Sequence, residues 1–332
     1  MREQATTTGP RTTWIERRSD ARQKSLILVC GASGEPGRRV AGRLIERGAN
    51  VRVLLRAQAD AAELQDCGAE IVRGDFRNRE SIERAVRGAA TVVSGVTALG
   101  RMLAGTEGRD GFRAVDCEGN LALVEAAEQA GAARFVFISV GGIERAPQTP
   151  YGPAKLAVEA RLLRSPLREV IVRPVAFQEV VLSAAAGLDW DNGKLTIFGR
   201  GEAPVRYVAL DDVAAAVACW TLADDPPRRV EFGGPEGVSR NEVATLIERA
   251  VGRPMKRRRV PRLVLAGGSR ILKRLKPELA TVMGLSLMMD DGAEWDDRPL
   301  RELGIEPRPA SAYIAQTVGS QEPHNRRSLS VC

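Results

Sequence analysis

A single histidine, His324, stands in the 332 residues, in a polar stretch near the end. That scarcity excludes a His-rich metal site and a Ser-His-Asp triad. The five cysteines, at 30, 67, 117, 219 and 332, are scattered and form no C-x-x-C pair. An odd count without a framework reads as reduced thiols in a cytoplasm-like compartment, with no metal expected. Aromatics make up 4% of the chain. That leaves little to stack bases on, and no nucleic-acid partner is expected. No run of 18 apolar residues occurs, so no transmembrane segment is expected. Residues 1–24 lack an apolar h-region and do not read as a secretory signal. Their Thr and Arg content suits an organelle presequence, but Glu3, Glu16 and Asp20 argue against one. Tails without structure are expected at 1–24 and 318–332, and the expected location is cytoplasmic.

What is present is a globular composition. Hydrophobic residues make up 44%, enough for one large α/β domain or one such domain with a smaller lobe. The net charge of +7 weakly favours anionic ligands. The densest basic run, Lys256 to Arg259, reads as a solvated loop before Val260-Pro261 rather than a nucleic-acid or lipid patch.

The chain is organised around Leu26-Ile-Leu-Val-Cys-Gly-Ala-Ser-Gly-Glu-Pro-Gly37. Leu26 to Val29 predict a buried strand, and Val40, Leu44 and Ile45 a helix ending near Gly48. Val51 to Leu55 predict the second strand of a βαβ unit. Gly31 permits the turn, Gly34 lets a pyrophosphate approach the backbone, and Gly37 lets the helix pack closely. Pro36 fits the first helical turn, whose free N–H groups and dipole suit phosphate. Ser33 lies within this loop. Glu35 must point away from a bound pyrophosphate. No acidic residue stands between Val51 and Ala59. Arg56, with Arg38, therefore points to NADP(H) in preference to NAD(H).

Further along, Ala69–Arg73, Ala90–Val93, Phe135–Ile138 and Glu169–Val172 predict strands. Helices are predicted at 79–86, 113–130 and 151–164. This alternation argues a Rossmann-type, doubly wound parallel sheet over residues 25–175. Cofactor contacts are expected where strands end: Asp75 and Phe76, Gly95 and Val96, and Pro174. Residues 99–112 hold four glycines and read as a mobile loop or lid. After Pro174 the pattern loosens. Short strands at 194–198, 205–208 and 230–232, and helices at 211–222, 239–251, 262–275 and 277–289, read as a smaller α+β substrate or partner lobe. It covers 176–317 and is interleaved with the first domain. A substrate pocket is expected between residues 175–191 and 99–112.

Tyr151 and Lys155 are four residues apart and share one helix face. A lysine beside a phenol lowers its pKa and improves it as an acid–base group. Ser139, ending the preceding strand, is placed to bind the same carbonyl oxygen. Together the glycine loop, Gly74-Asp75-Phe76, Phe135–Ser139, Tyr151-Gly-Pro-Ala-Lys155 and Val172-Arg-Pro174 resemble the short-chain dehydrogenase/reductase superfamily. Within it, the chain is similar to the atypical, NmrA-like branch over about residues 26–260. That branch includes isoflavone-reductase-type enzymes, redox-sensing regulators and a nucleotide-binding accessory subunit of respiratory complex I. The resemblance implies that Tyr151 is the proton donor, that Lys155 holds the cofactor ribose and tunes Tyr151, and that Ser139 orients the substrate. Two functions follow. One is an NADPH-dependent reductase acting on a carbonyl or activated double bond of a small, apolar molecule. The other is a non-catalytic NADP(H) sensor or assembly factor holding a protein partner through its carboxyl-side lobe.

Overall fold

A computed structural model of the chain describes residues 25–108, 111–146 and 148–319. The expectations for 1–24 and for 320–332, including His324 and Cys332, lie outside the described residues. The strands are β1 (Ile27–Cys30), β2 (Val51–Leu55), β3 (Glu70–Arg73), β4 (Thr91–Ser94), β5 (Arg134–Ile138) and β6 (Arg168–Pro174). They continue with β7 (Leu188–Asp189), β8 (Lys194–Phe198), β9 (Pro204–Val205), β10 (Arg229–Phe232), β11 (Val238–Ser239) and β12 (Lys256–Val260). Seven of them form one parallel sheet in the order β10-β6-β5-β4-β1-β2-β3. The chain winds outward from β1 to β3, then returns to β4 and winds the other way. The switch point therefore lies between the ends of β1 and β4, where open α/β sheets bind ligands.

Both faces of the sheet are covered, so its central strands are largely apolar. Ile27 and Val29 of β1 pack with Val40 and Leu44 of α1 (Glu35–Glu46), in a core that also holds Val213 and Val217. Leu28 and Cys30 face the other side, in the core that holds Ile82, Leu123, Val158 and Leu162. This period-2 alternation is why one short strand supports two cores. The next helices are α2 (Ala62–Asp66), α3 (Arg79–Val86), α4 (Leu99–Leu103), α5 (Asn120–Gln129), α6 (Tyr151–Leu162), α7 (Gln178–Val181) and α8 (Leu210–Leu222). They are followed by α9 (Arg240–Val251), α10 (Arg262–Ile271) and α11 (Pro277–Asp290). α9 opens with a complete capping box, with Ser239 and Glu242 bonding each other's backbone N–H.

Several expectations are corrected. The strand at 229–232 joins the central sheet, pairing with β6 from Arg229 opposite Ile171 to Phe232 opposite Pro174. The basic run is a strand, β12, paired with β8, and not a loop. Its pairing is through backbone alone while its side chains face solvent, so no apolar periodicity announces it. Residues 99–112 are not one loop: α4 forms, and Glu107 accepts from Arg101 at 2.7 Å and binds Arg77. The helix expected from Arg113 is π-wound over Phe112–Gly119 before α5 begins. Val318 and Gly319 close the helix Ala310–Gly319 instead of opening a tail. Cys30, Cys117 and Cys219 are free thiols.

Candidate active site

The site begins at the glycine turn. Gly31 has φ +96°, a conformation that favours glycine, and a Cβ there would meet Gly95 C at 2.9 Å. The turn after β1 and the loop after β4 therefore touch at the switch point. A Cβ on Gly37 would meet the backbone of Gly31 at 2.5 Å, which is how closely α1 sits on the turn. At Gly34 the nearest atom would be 3.6 Å away, so that position is open. Gly34 is the N-cap of α1 and supplies no side chain to the first-turn N–H groups, and Pro36 lies in that turn. An uncapped helix start beside an open glycine suits a phosphate group. Glu35 is turned outward, accepting from Arg39 at 3.2 Å, as a phosphate site requires.

Arg56 follows β2 at the same edge and is exposed. Its loop is held by Arg73, whose Nη1 donates to the carbonyls of Arg56 at 3.0 Å and Ala59 at 2.6 Å. Arg38 instead pairs with Glu63 at 3.3 Å. Asp75 accepts from the backbone N–H of Arg77 at 2.9 Å, and this fixes the turn after β3. The ring of Phe76 lies against Gly119 in the π-wound segment, so closely that a Cβ there would sit 2.7 Å from it. Pro174 ends β6, and its carbonyl accepts from Gly141 at 2.9 Å.

Tyr151 and Lys155 sit in the first two turns of α6, docked on the loop behind β4. Lys155 Nζ donates to Val96 O at 3.3 Å and lies 3.5 Å from Asp116 Oδ1. It sits over the rings of Phe137 and Tyr151, 5.0 and 5.5 Å from their centroids. The Thr97 side chain stands beside both the Tyr151 phenol and the Asp116 carboxylate. Asp116 also accepts from Ala98 N–H at 2.9 Å. Phe112 packs on Tyr151 with ring centroids 5.5 Å apart. The turn of Gly31, the loop Gly95-Val96-Thr97 and the pair Tyr151/Lys155 thus form one continuous structure.

The electrostatics correct one expectation. The Tyr151 phenol is raised above its ordinary pKa, first by burial and then by the Asp116 charge. Lys155 does not lower it, because its charge faces Asp116 and the flat of the ring rather than the phenol oxygen. Burial likewise drives Asp116 up and Lys155 down, and their mutual attraction offsets only part of this. Ser139 is corrected too. Its hydroxyl donates to Glu159 Oε1 at 2.5 Å, inside a buried network in which Arg173 also binds Glu159, at 3.0 and 2.5 Å. Glu159 lies eight residues, about 12 Å of helix rise, beyond Tyr151. The structure brings Ser139 to that network and not to the phenol.

Asp116 and Thr97 are functional candidates that sequence reasoning missed. Asp116 lies in a segment read as an ordinary amphipathic helix. The available signal was Asp116 and Asn120 standing four apart beside its apolar face. Farther out, a cavity of about 150 Å³ is walled almost entirely by apolar side chains. Leu99, Leu103, Val180 and Val181 come from the two segments expected to form the pocket, while Phe198 of β8 and Leu285 and Met289 of α11 were not foreseen. Leu99 and Leu285 also pack against the core cluster that buries Tyr151.

A doubly wound parallel sheet with a glycine turn at its switch point and a Tyr/Lys pair beside it defines an atypical member of the short-chain dehydrogenase/reductase class. More narrowly, the chain belongs to the NmrA-like family, whose model matches residues 23–276. It is 27% identical to a photosystem II assembly factor Ycf39 of Trieres chinensis, over 72% of this chain and 73% of that one. It is 30% identical to a (4-alkanoyl-5-oxo-2,5-dihydrofuran-3-yl)methyl phosphate reductase of Streptomyces griseus subsp. griseus, over 70% and 76% of the two chains. A further relative, a chloroplastic protein of Arabidopsis thaliana, is longer, and the chain spans 59% of its length. Among solved structures, the NADPH-dependent quinone oxidoreductase QOR2 of Escherichia coli, complexed with NADPH, matches with a TM-score of 0.69. The match is at 16% identity and covers 87% of this chain and 99% of that one, a likeness of fold.

Proposed function

We propose that the protein is an NADPH-dependent reductase acting on a carbonyl or activated double bond of a small, largely apolar substrate. The observation that carries this is the docking of Tyr151 and Lys155 on the loop that also abuts the glycine turn. The open Gly34, the uncapped start of α1 with Ser33 beside it, and the exposed Arg56 fit a dinucleotide carrying a 2′-phosphate. Asp75 and Phe76 flank its adenine end, and Gly95, Val96, Lys155 and Pro174 its nicotinamide end. When bound, that cofactor supplies the hydride. Tyr151 holds the proton. Its raised pKa keeps the proton on oxygen until negative charge develops on the substrate. Thr97 orients the phenol, and Asp116 holds Lys155 in place. The apolar cavity supports an apolar substrate. The Streptomyces relative and the Escherichia coli structure, both named for reduction, support the same reading.

A second reading is a non-catalytic NADP(H) sensor or assembly factor. It is favoured by the burial of Tyr151 and Lys155, 6% and 2% exposed, with the Lys155 ammonium already held by Val96 and Asp116, and by the relative named as an assembly factor. A cytoplasmic location goes with the first reading. A plastid, the place in the Arabidopsis relative's name, goes with the second. Stopped-flow oxidation of NADPH against quinones, enones and aldehydes separates the two. Under the first reading, Tyr151→Phe lowers turnover roughly 10²–10⁴-fold with cofactor affinity nearly unchanged. Full activity in that variant removes Tyr151 as the acid. No oxidation with any substrate leaves the second reading.

A further inference from the structure

We propose that α10 and the turn after it seat this protein on an anionic lipid surface. From Arg249 to Pro277 the chain carries eleven Lys and Arg and no Asp or Glu, more than its whole net charge of +7. The rest of the chain is therefore net acidic, and the net excess of positive charge lies in this one stretch of sequence. Two of the eleven are neutralised in the fold: Arg257 by Glu248, and Arg262 by Asp290 and Asp291. Lys273, Arg274 and Lys276 are exposed and carry no ion pair among the described residues.

Apolar side chains stand among these charges. Leu263 is 86% exposed, Ile271 74% and Leu275 59%. They recur at near-helical spacing on the face that carries Arg270 and Arg274, while Leu265 and Ser269 point inward and are fully buried. An exposed leucine alone needs no explanation. A row of them bordered by unpaired basic groups is the composition of a helix lying in a membrane interface. No helix of the described residues is long and apolar enough to cross a bilayer, so attachment would be at the surface. The aliphatic row argues against nucleic acid, which rewards charge and ring stacking but not exposed leucine. The stripe also has a continuation. Leu279 of α11 is 38% exposed and shares a helix face with Val282, Ser286 and Met289, which line the apolar cavity. A seated protein would present that wall to the bilayer, the reservoir of apolar molecules.

The test is flotation of the full chain with phosphatidylcholine vesicles, with and without phosphatidylglycerol. Two triple variants accompany it, K273Q/R274Q/K276Q and L263S/I271S/L275S. All six side chains are largely solvent-facing, and thermal melts check that the fold is kept. The expected result is flotation with the anionic vesicles only, weakened by salt. Each basic group near such a surface contributes roughly a fivefold factor, so the charge variant should partition about a hundredfold less. The apolar variant should lose about tenfold or more while keeping the salt dependence. Equal flotation with neutral vesicles, no flotation, or either triple variant behaving as the parent overturns the proposal. Retardation of duplex DNA without vesicle binding would reassign the face to nucleic acid and also overturn it.

Discussion

Replacing Asp116 with asparagine tests the centre of the site. Asparagine keeps the shape and can still accept from Ala98 N–H, so the perturbation is the loss of one buried charge. Lys155 Nζ lies 3.5 Å from that carboxylate and is 2% exposed. At 3.5 Å, with an effective dielectric near 20, the attraction is about 5 kcal/mol. Breaking a buried pair from one side costs roughly 3–5 kcal/mol, less where the remaining group can shed its charge. Lys155 can do so, and this gives the effect a pH signature. Its folded pKa is already depressed by burial, and losing Asp116 depresses it further. A depressed lysine contributes stability that is present above the unfolded value of 10.5 and lost as pH falls through the folded value. The variant should therefore be much less stable than the parent at pH 6, with the gap closing toward pH 10. Urea denaturation at the two pH values reads this directly. An equal gap at both, or no gap at pH 6, would refute Asp116 as the counter-ion of Lys155.

Four other predictions follow from the same geometry. Gly34→Val should leave the fold intact, because a Cβ there meets nothing nearer than 3.6 Å, yet abolish the fluorescence change on NADPH titration. Gly37→Ala should destabilise the fold itself, since its Cβ would press on the Gly31 backbone at 2.5 Å. Calorimetry should show NADPH bound more tightly than NADH, and Arg56→Ala should lose about 1.5–3 kcal/mol toward NADPH alone, the scale of a hydrogen bond to a charged group. Ser139→Ala should lower stability by about 1–3 kcal/mol, by leaving a buried carboxylate short of a donor, while turnover per folded molecule is unchanged; a thousandfold loss of turnover would return Ser139 to the substrate.

The sequence by itself determined the architecture that depends on local pattern. The apolar run at Ile27–Cys30, the glycine spacing, the helix of Val40 and Leu44 and the strand Val51–Leu55 are short-range features, and each is visible within a few residues. The Tyr151/Lys155 pair is legible for the same reason, since four residues on a helix share a face. Tertiary structure alone decided what those side chains meet. Asp116 is 39 residues from Lys155 in the chain, and Ser139 is 20 from the Glu159 that takes its hydroxyl. No spacing rule links such partners. The strand at Arg229–Phe232 reads from sequence as part of the outer lobe, and only pairing with β6, whose free edge was open to it, made it the seventh strand. Charge behaved likewise. Lys155 beside a phenol predicts a lowered phenol pKa, but burial and a carboxylate from a distant π-wound turn reversed the sign. A sequence states which ionisable groups exist; the fold sets their depth and their neighbours, and those two quantities fix the pKa.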